Sequence, residues 1–198
     1  MTERAEKRIL RRAQAHATAR SGILDAARRV AQKGGARELS LRSVAAEAGF
    51  APAALYGYFT GKDELLLALA ADDLALLARA MREAAAQSQG RGKLGAAASA
   101  AVQHLRAMQS LAAAAGSLSQ HAGSSDAERL FNGRLIAALK TLSDAAGNRL
   151  DSRERQSDAV LVAAAVAGLA LLARSGRLAA LGFSIDEIVA RLDQHFTV

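Results

Sequence analysis

Apolar residues recur at intervals of three and four along most of this chain. Ile23, Ala26, Ala27, Val30 and Ala31 mark one such stripe, and Gly34-Gly35 supplies its stop, because glycine accepts the left-handed conformation that ends a helix. Ser40 is placed to cap a short helix carrying Leu41, Val44, Ala45 and Ala48, which Gly49 ends, and Pro52 suits a first helical position, where the missing N–H is harmless. Thr60 precedes a long helix beginning "GKDELLLALAADDL", with Asp63 and Glu64 in its first turn. After a linker, "QSQGRGKLG" at 87–95, helices are predicted near 95–115, 125–147, 153–174 and 184–197. Ser184 with Glu187, and Ser125 with Glu128, have capping-box spacing.

Composition agrees with this pattern. There are 50 alanines, one proline and few aromatic or β-branched residues, so an all-α fold is expected. With 198 residues, one domain or a small domain joined to a larger one can bury a core without staples, and cysteine is absent. The longest apolar run, 159–173, is 15 residues, shorter than the roughly 18 to 20 of a spanning helix, and no apolar h-region follows the basic N-terminus. A cytoplasmic protein with no membrane association is expected.

Charge divides the chain in two. Residues 1–62 carry 12 Lys and Arg against 5 acids, a net of +7, whereas residues 63–198 carry 14 against 14. A basic first part beside a neutral remainder suggests a polyanion partner for the first part only.

A basic unit with a short second helix, a glycine turn and a third helix has the order of a helix-turn-helix DNA reader. Four of the chain's seven aromatic residues, Phe50, Tyr56, Tyr58 and Phe59, crowd into this unit. In "SLRSVAAEAGFAPAALYGYFTGKDELL", with Ala45, Gly49, Leu55, Tyr56, Phe59, Lys62 and Leu65, residues 20–66 resemble the DNA-binding domain of TetR-family transcriptional regulators. The resemblance implies that Tyr56 and Lys62 contact phosphates, that Leu55 and Phe59 pack inside, and that Ser40, Arg42 and Ser43 face DNA. The recognition helix would present Ala51, Ala53, Ala54 and Gly57, which can touch thymine methyls but cannot form bidentate hydrogen bonds to bases. Direct readout should then be thin, with Arg42, Ser43 and Tyr58 as its polar candidates. In the preceding extension, Arg4, Lys7, Arg8, Arg11 and Arg12 are candidates for a minor-groove arm, the alternative being a solvated helix.

Other patterns fail on context. "GRGKLG" at 90–95 follows a helix rather than a strand, and "GYFTGKD" has the wrong spacing for a P-loop. His16, His104, His121 and His195 are scattered, and no cofactor, metal or enzyme motif is found.

The expected organisation is a basic extension at 1–19, a helix-turn-helix domain at 20–66, and a helical effector-binding and dimerisation domain at 67–198. His104 and Met108, with Phe131 and Leu135, are candidates to line an apolar effector cavity between helices. By the family resemblance the last two helices form a homodimer interface, for which Leu161, Ala165, Gly168, Leu172, Ile185, Ile188, Val189 and Leu192 are the candidates. The function expected is a regulator, a repressor released from a palindromic double-stranded operator by a small apolar effector; the alternative is an architectural DNA binder without effector.

Overall fold

The computed structural model describes residues 3–35, 37–88, 92–108, 125–147 and 152–197, and all regular structure among them is helical. The helices are α1 (Glu3–Gly34), α2 (Leu41–Ala48), α3 (Pro52–Leu55), α4 (Lys62–Gln87), α5 (Lys93–Ala107), α6 (Asp126–Ala145), α7 (Arg153–Arg174), α8 (Arg177–Ala180) and α9 (Ile185–Phe196). The described residues fall into two compact units, those within 3–70 and those within 71–108 and 125–197.

The first unit is built on α1, α2, α3 and the start of α4. Its core contains Ile23, Leu24, Ala27 and Ala31 from α1, Leu41, Val44 and Ala45 from α2, Leu55 and Phe59, and Leu65, Leu66 and Leu69 from α4. Gly49 holds φ at 74°, and its N–H reaches the carbonyls of Ala45 and Ala46, so the turn after α2 uses the left-handed conformation that glycine adopts at least cost. No break separates the N-terminal extension from the first helix. Residues 3–21 contain only residues compatible with a helix interior and neither Gly nor Pro, so α1 runs 32 residues as one piece.

In the second unit α7 packs against α5, α6, α8 and α9, and α5 also meets α6 and α9. Its buried residues include Leu94, Ala97, Ala101 and Val102 of α5, Phe131, Ala138 and Leu142 of α6, and Val162, Val166 and Leu169 of α7. Alanines on the facing stripes take up little room, so helices can approach closely. The helix predicted to reach residue 115 ends at Ala107, with Met108 as its C-cap; residues 109–115 lie outside the described residues. The four-residue α8, led by Gly176 at φ 71°, has no counterpart in the sequence reading.

Candidate DNA-binding face and effector domain

Ser40 caps α2. Its hydroxyl accepts the Ser43 N–H at 3.0 Å, Ser43 Oγ accepts the Ser40 N–H at 3.0 Å, and Ser43 Oγ donates to the Glu38 carbonyl at 2.8 Å. Both serines are half-buried and engaged in fixing the helix start, whereas Arg42 between them is exposed. On the next segment Leu55 and Phe59 are buried, and Ala51, Ala53, Ala54, Tyr56 and Gly57 are exposed. Tyr56 is 65% exposed, a large aromatic ring held in water.

The starts of α2 and α4 and the end of α3 enclose an open groove of about 760 Å³ that brings Arg42, Tyr56 and Lys62 together. Lys62 Nζ lies 3.5 Å from the Arg37 carbonyl, which keeps the ammonium at the groove's edge. Two cations and a phenol hydroxyl around one concavity form a donor set suited to phosphate oxygens.

Tyr58 has a different setting. Half-buried, it stacks on His16 of α1 with ring centroids 4.6 Å apart and planes 22° apart, and Phe50 meets it edge-on at 6.3 Å. One turn along α1, the Arg20 guanidinium sits 5.0 Å above the Phe59 ring. The crowded aromatics therefore join α1 to the recognition segment. His16 and Arg20 were not singled out from the sequence for this role, although both continue the core-facing stripe of Ile23 and Ala27 at helical spacing.

A short ion-pair network braces α1 on α2. Glu47 accepts from Arg29 Nε at 2.7 Å and from Lys33 Nζ at 3.0 Å. The Arg29 hydrogen bond, followed by that of Lys33, holds the Glu47 carboxyl below the usual carboxylate range.

Of the two forms expected for the basic extension, the unbound chain has the helical one. Arg4, Lys7, Arg8, Arg11 and Arg12 sit exposed on helical α1 rather than on an extended arm. A helix about 10–12 Å across does not enter a minor groove about 6 Å wide.

The four candidate effector residues differ in setting. His104 Nδ1 lies 3.1 Å from the Ala100 carbonyl in its own helix, Met108 is a half-buried C-cap, Phe131 is buried, and Leu135 is exposed. Another groove, of about 640 Å³, opens between α6 and α7, walled by Ile136, Leu139, Ala159, Val160 and Leu161, with Arg153, Gln156 and Ser157 at one side. The signal that could have found it is the second apolar face of α6 and α7, which the core does not use.

The candidate dimer residues divide by exposure. Leu161 (56%) and Leu172 (37%) are exposed with Ala165 and Gly168 on α7, whereas Val189 and Leu192 of α9 are buried within the unit, and Ile185 and Ile188 are half-buried. By length and composition α7 is also apolar enough to cross a membrane. Among the described residues no three His, Asp or Glu side chains are grouped to hold a metal ion.

Residues 23–69 match the family model described as bacterial regulatory proteins, tetR family. They form a DNA-binding domain of the tetR type. The fold of the chain agrees with solved structures. A protein of unknown function from Rhodococcus sp. RHA1 is 27% identical, with 90% of this chain and 93% of that chain covered, at a TM-score of 0.69. The transcriptional regulator FadR from Bacillus subtilis, solved in complex with stearoyl-CoA, is 16% identical over 89% of this chain and 97% of its own, at 0.62. A TetR-family transcriptional regulator from Streptomyces coelicolor is 21% identical over 90% and 95%, at 0.58. No curated protein matches the sequence. In this TetR-type domain the helix-turn-helix is α2 and α3.

Proposed function

We propose that this protein is a transcriptional repressor, active as a homodimer on a palindromic operator and released by a small amphipathic effector. The observation that carries the dimer is the outward face of α7, where Leu161, Ala165, Gly168 and Leu172 form an apolar stripe open to solvent in one copy. Such a stripe on a long helix gains by covering itself with its own copy, and two-fold association sets two recognition segments against two half-sites. In the DNA-binding domain Arg42 and Lys62 supply the charge, and Tyr56 a hydroxyl, for phosphate and base-edge contact. Ala51, Ala53 and Ala54 offer methyl groups, and Ser40 and Ser43 act by shaping the start of α2.

The effector we assign to the α6–α7 groove has an apolar body against Ile136, Leu139 and Val160 and an anionic end toward Arg153. That FadR was solved with stearoyl-CoA bound supports this ligand class. Because Leu161 belongs to both the groove and the apolar face of α7, a bound ligand would bear directly on how two copies meet. An architectural DNA binder would need neither the groove nor a palindrome.

Selection of bound fragments from random duplex DNA, with sedimentation of the resulting complexes, tests this reading. A palindrome bound by two copies is expected, along with release by a long-chain carboxylate or its thioester. A monomer on non-symmetric DNA overturns the dimer. Tight binding of such ligands without release overturns the effector.

A further inference from the structure

The longest feature of the first unit that the helix-turn-helix does not use is the N-terminal part of α1. At about 100° per residue, Arg4, Lys7, Arg8, Arg11 and Arg12 fall within an arc of about 140° on one side of the helix, and Glu6 lies on the opposite side. Residues 6–15 are exposed. Beyond them, the His16 ring of α1 stacks on Tyr58. An isolated helix of a dozen residues is marginal in water, so the point at which a tertiary anchor begins decides how much of it persists.

The stack has a second consequence. It joins α1 to the segment that follows α3 and fixes where the basic arc stands. With a rise of about 1.5 Å per residue, Arg12 to Arg4 lie about 6 to 18 Å beyond His16 along the helix axis. Round the axis, the centre of the arc is about a third of a turn from the face that His16 presents to Tyr58, so most of the arc points away from that contact.

We infer that the N-terminal third of α1 is a second DNA-contacting element, a rigid basic helix lying on backbone phosphates that flank each half-site, with His16 as the positioning residue that sets it through Tyr58. The inference rests on the reading of the first unit as a DNA-binding domain. Charge complementarity favours duplex phosphates. An anionic lipid surface would also attract the arginines, but a helix that lies in a membrane needs a broad apolar face. Here Ile9 and Leu10 share the remaining faces with Glu6 and Gln14. Spanning about 12 Å, the arc matches the axial rise of three or four base pairs, at about 3.4 Å of duplex axis per phosphate of one strand.

The full-length protein, its Arg4→Gln/Arg8→Gln/Arg11→Gln/Arg12→Gln variant, and His16→Ala and His16→Phe variants would be titrated onto a selected operator across a salt series. The operator would carry either long or blunt-trimmed flanks. With three of the four arginines on phosphates, the quadruple variant should lower the slope of log K against log salt by about 2.7, at about 0.9 per contact, on the long operator only. His16→Ala retains every arginine yet should lose part of the same slope, His16→Phe should restore it, and neither should change the slope further in the quadruple background. Because the protein has no Trp and only two Tyr, His16→Ala should also alter the Tyr58 fluorescence. Unchanged slopes for the quadruple variant on an operator that the protein still binds would overturn the inference and leave the DNA-binding domain intact. Charge-dependent binding to phosphatidylserine vesicles together with an unchanged DNA slope would overturn it in favour of lipid. A slope that falls for the quadruple variant but not for His16→Ala would remove His16 from the positioning role. Failure of the unaltered protein to bind any duplex would instead strike at the reading of the domain.

Discussion

Asp193 of α9 caps α5 across 98 residues of sequence: its Oδ1 accepts the Gly95 N–H at 2.8 Å. The residue before α5, Gly92, has no side chain to cap with, and the first turn of α5 holds no acid. A carboxylate from another helix therefore satisfies one of the free N–H groups and opposes the positive end of the helix dipole. The same oxygen accepts from Thr197 Oγ1 at 3.1 Å, which ties the end of α9 into the arrangement.

Replacing Asp193 by Ala should therefore cost about 1 kcal/mol, the usual worth of a helix cap, read as a lower midpoint in urea unfolding. Gly95→Ala is the informative partner. Its new Cβ would meet Asp193 at 3.5 Å, an ordinary contact, so the variant should be neutral or gain up to about 1 kcal/mol from helix propensity. If Gly95→Ala were as damaging as Asp193→Ala, a need for close approach rather than the cap would be the organising feature.

Gly49→Ala should destabilise the DNA-binding domain by about 1 to 2 kcal/mol, because the residue sits at φ 74°. Space is not the obstacle, since nothing lies within 4 Å of the added carbon. Asn, which tolerates the left-handed region better, should recover part of the loss. Thermal unfolding of the three proteins measures the order; equal stability of all three would contradict it.

The Glu47 network should make stability depend on acid. Its carboxyl is held below the ordinary range in the fold, so the stabilisation is complete above the unfolded-state value and is lost as pH falls through the lowered native value. Glu47→Gln should lower the melting temperature at neutral pH and narrow its gap from the unaltered protein on acidification. A gap that stayed constant down to the acid limit would mean that the ion pairs with Arg29 and Lys33 add nothing net.

Lys62→Ala and Arg42→Ala should differ in kind. Losing a phosphate contact weakens binding about equally on operator and random DNA and flattens the salt slope by roughly one unit, whereas losing a base contact costs about 1 to 3 kcal/mol at one position of the site. Affinities across a panel of single-base operator variants separate the two. Uniform losses for both would assign Arg42 to the backbone.

Leu161→Glu should dissociate the proposed dimer, because it places a charge at the start of the open apolar stripe of α7. Its exposure in one copy means that the monomer should still fold. Sedimentation equilibrium would show a shift toward monomer, and operator affinity should fall with it. An unchanged dimer with full affinity would move the interface elsewhere.

Local sequence was enough for the helices and their ends. The Ser40 and Ser184 caps, the Gly49 turn and Pro52 at the first position of α3 each act within a few residues, so the chain's order of elements could be read without any tertiary contact. The buried pair Leu55 and Phe59 and the exposed Arg42, Tyr56 and Lys62 followed from the same local pattern joined to a family resemblance. Apolar periodicity shows that a helix has a face to bury but not which neighbour covers it. For that reason Phe131 and Leu135, four residues apart on α6, are one buried and one exposed, and a groove lies beside Ile136 and Val160. Val189 and Leu192 were absorbed into the core of their own unit, whereas Leu161 and Leu172 were left open, a division that depends on how α7 and α9 pack. The stack of His16 on Tyr58 and the bond from Gly95 to Asp193 join residues 42 and 98 positions apart, distances over which only the folded chain decides who meets whom.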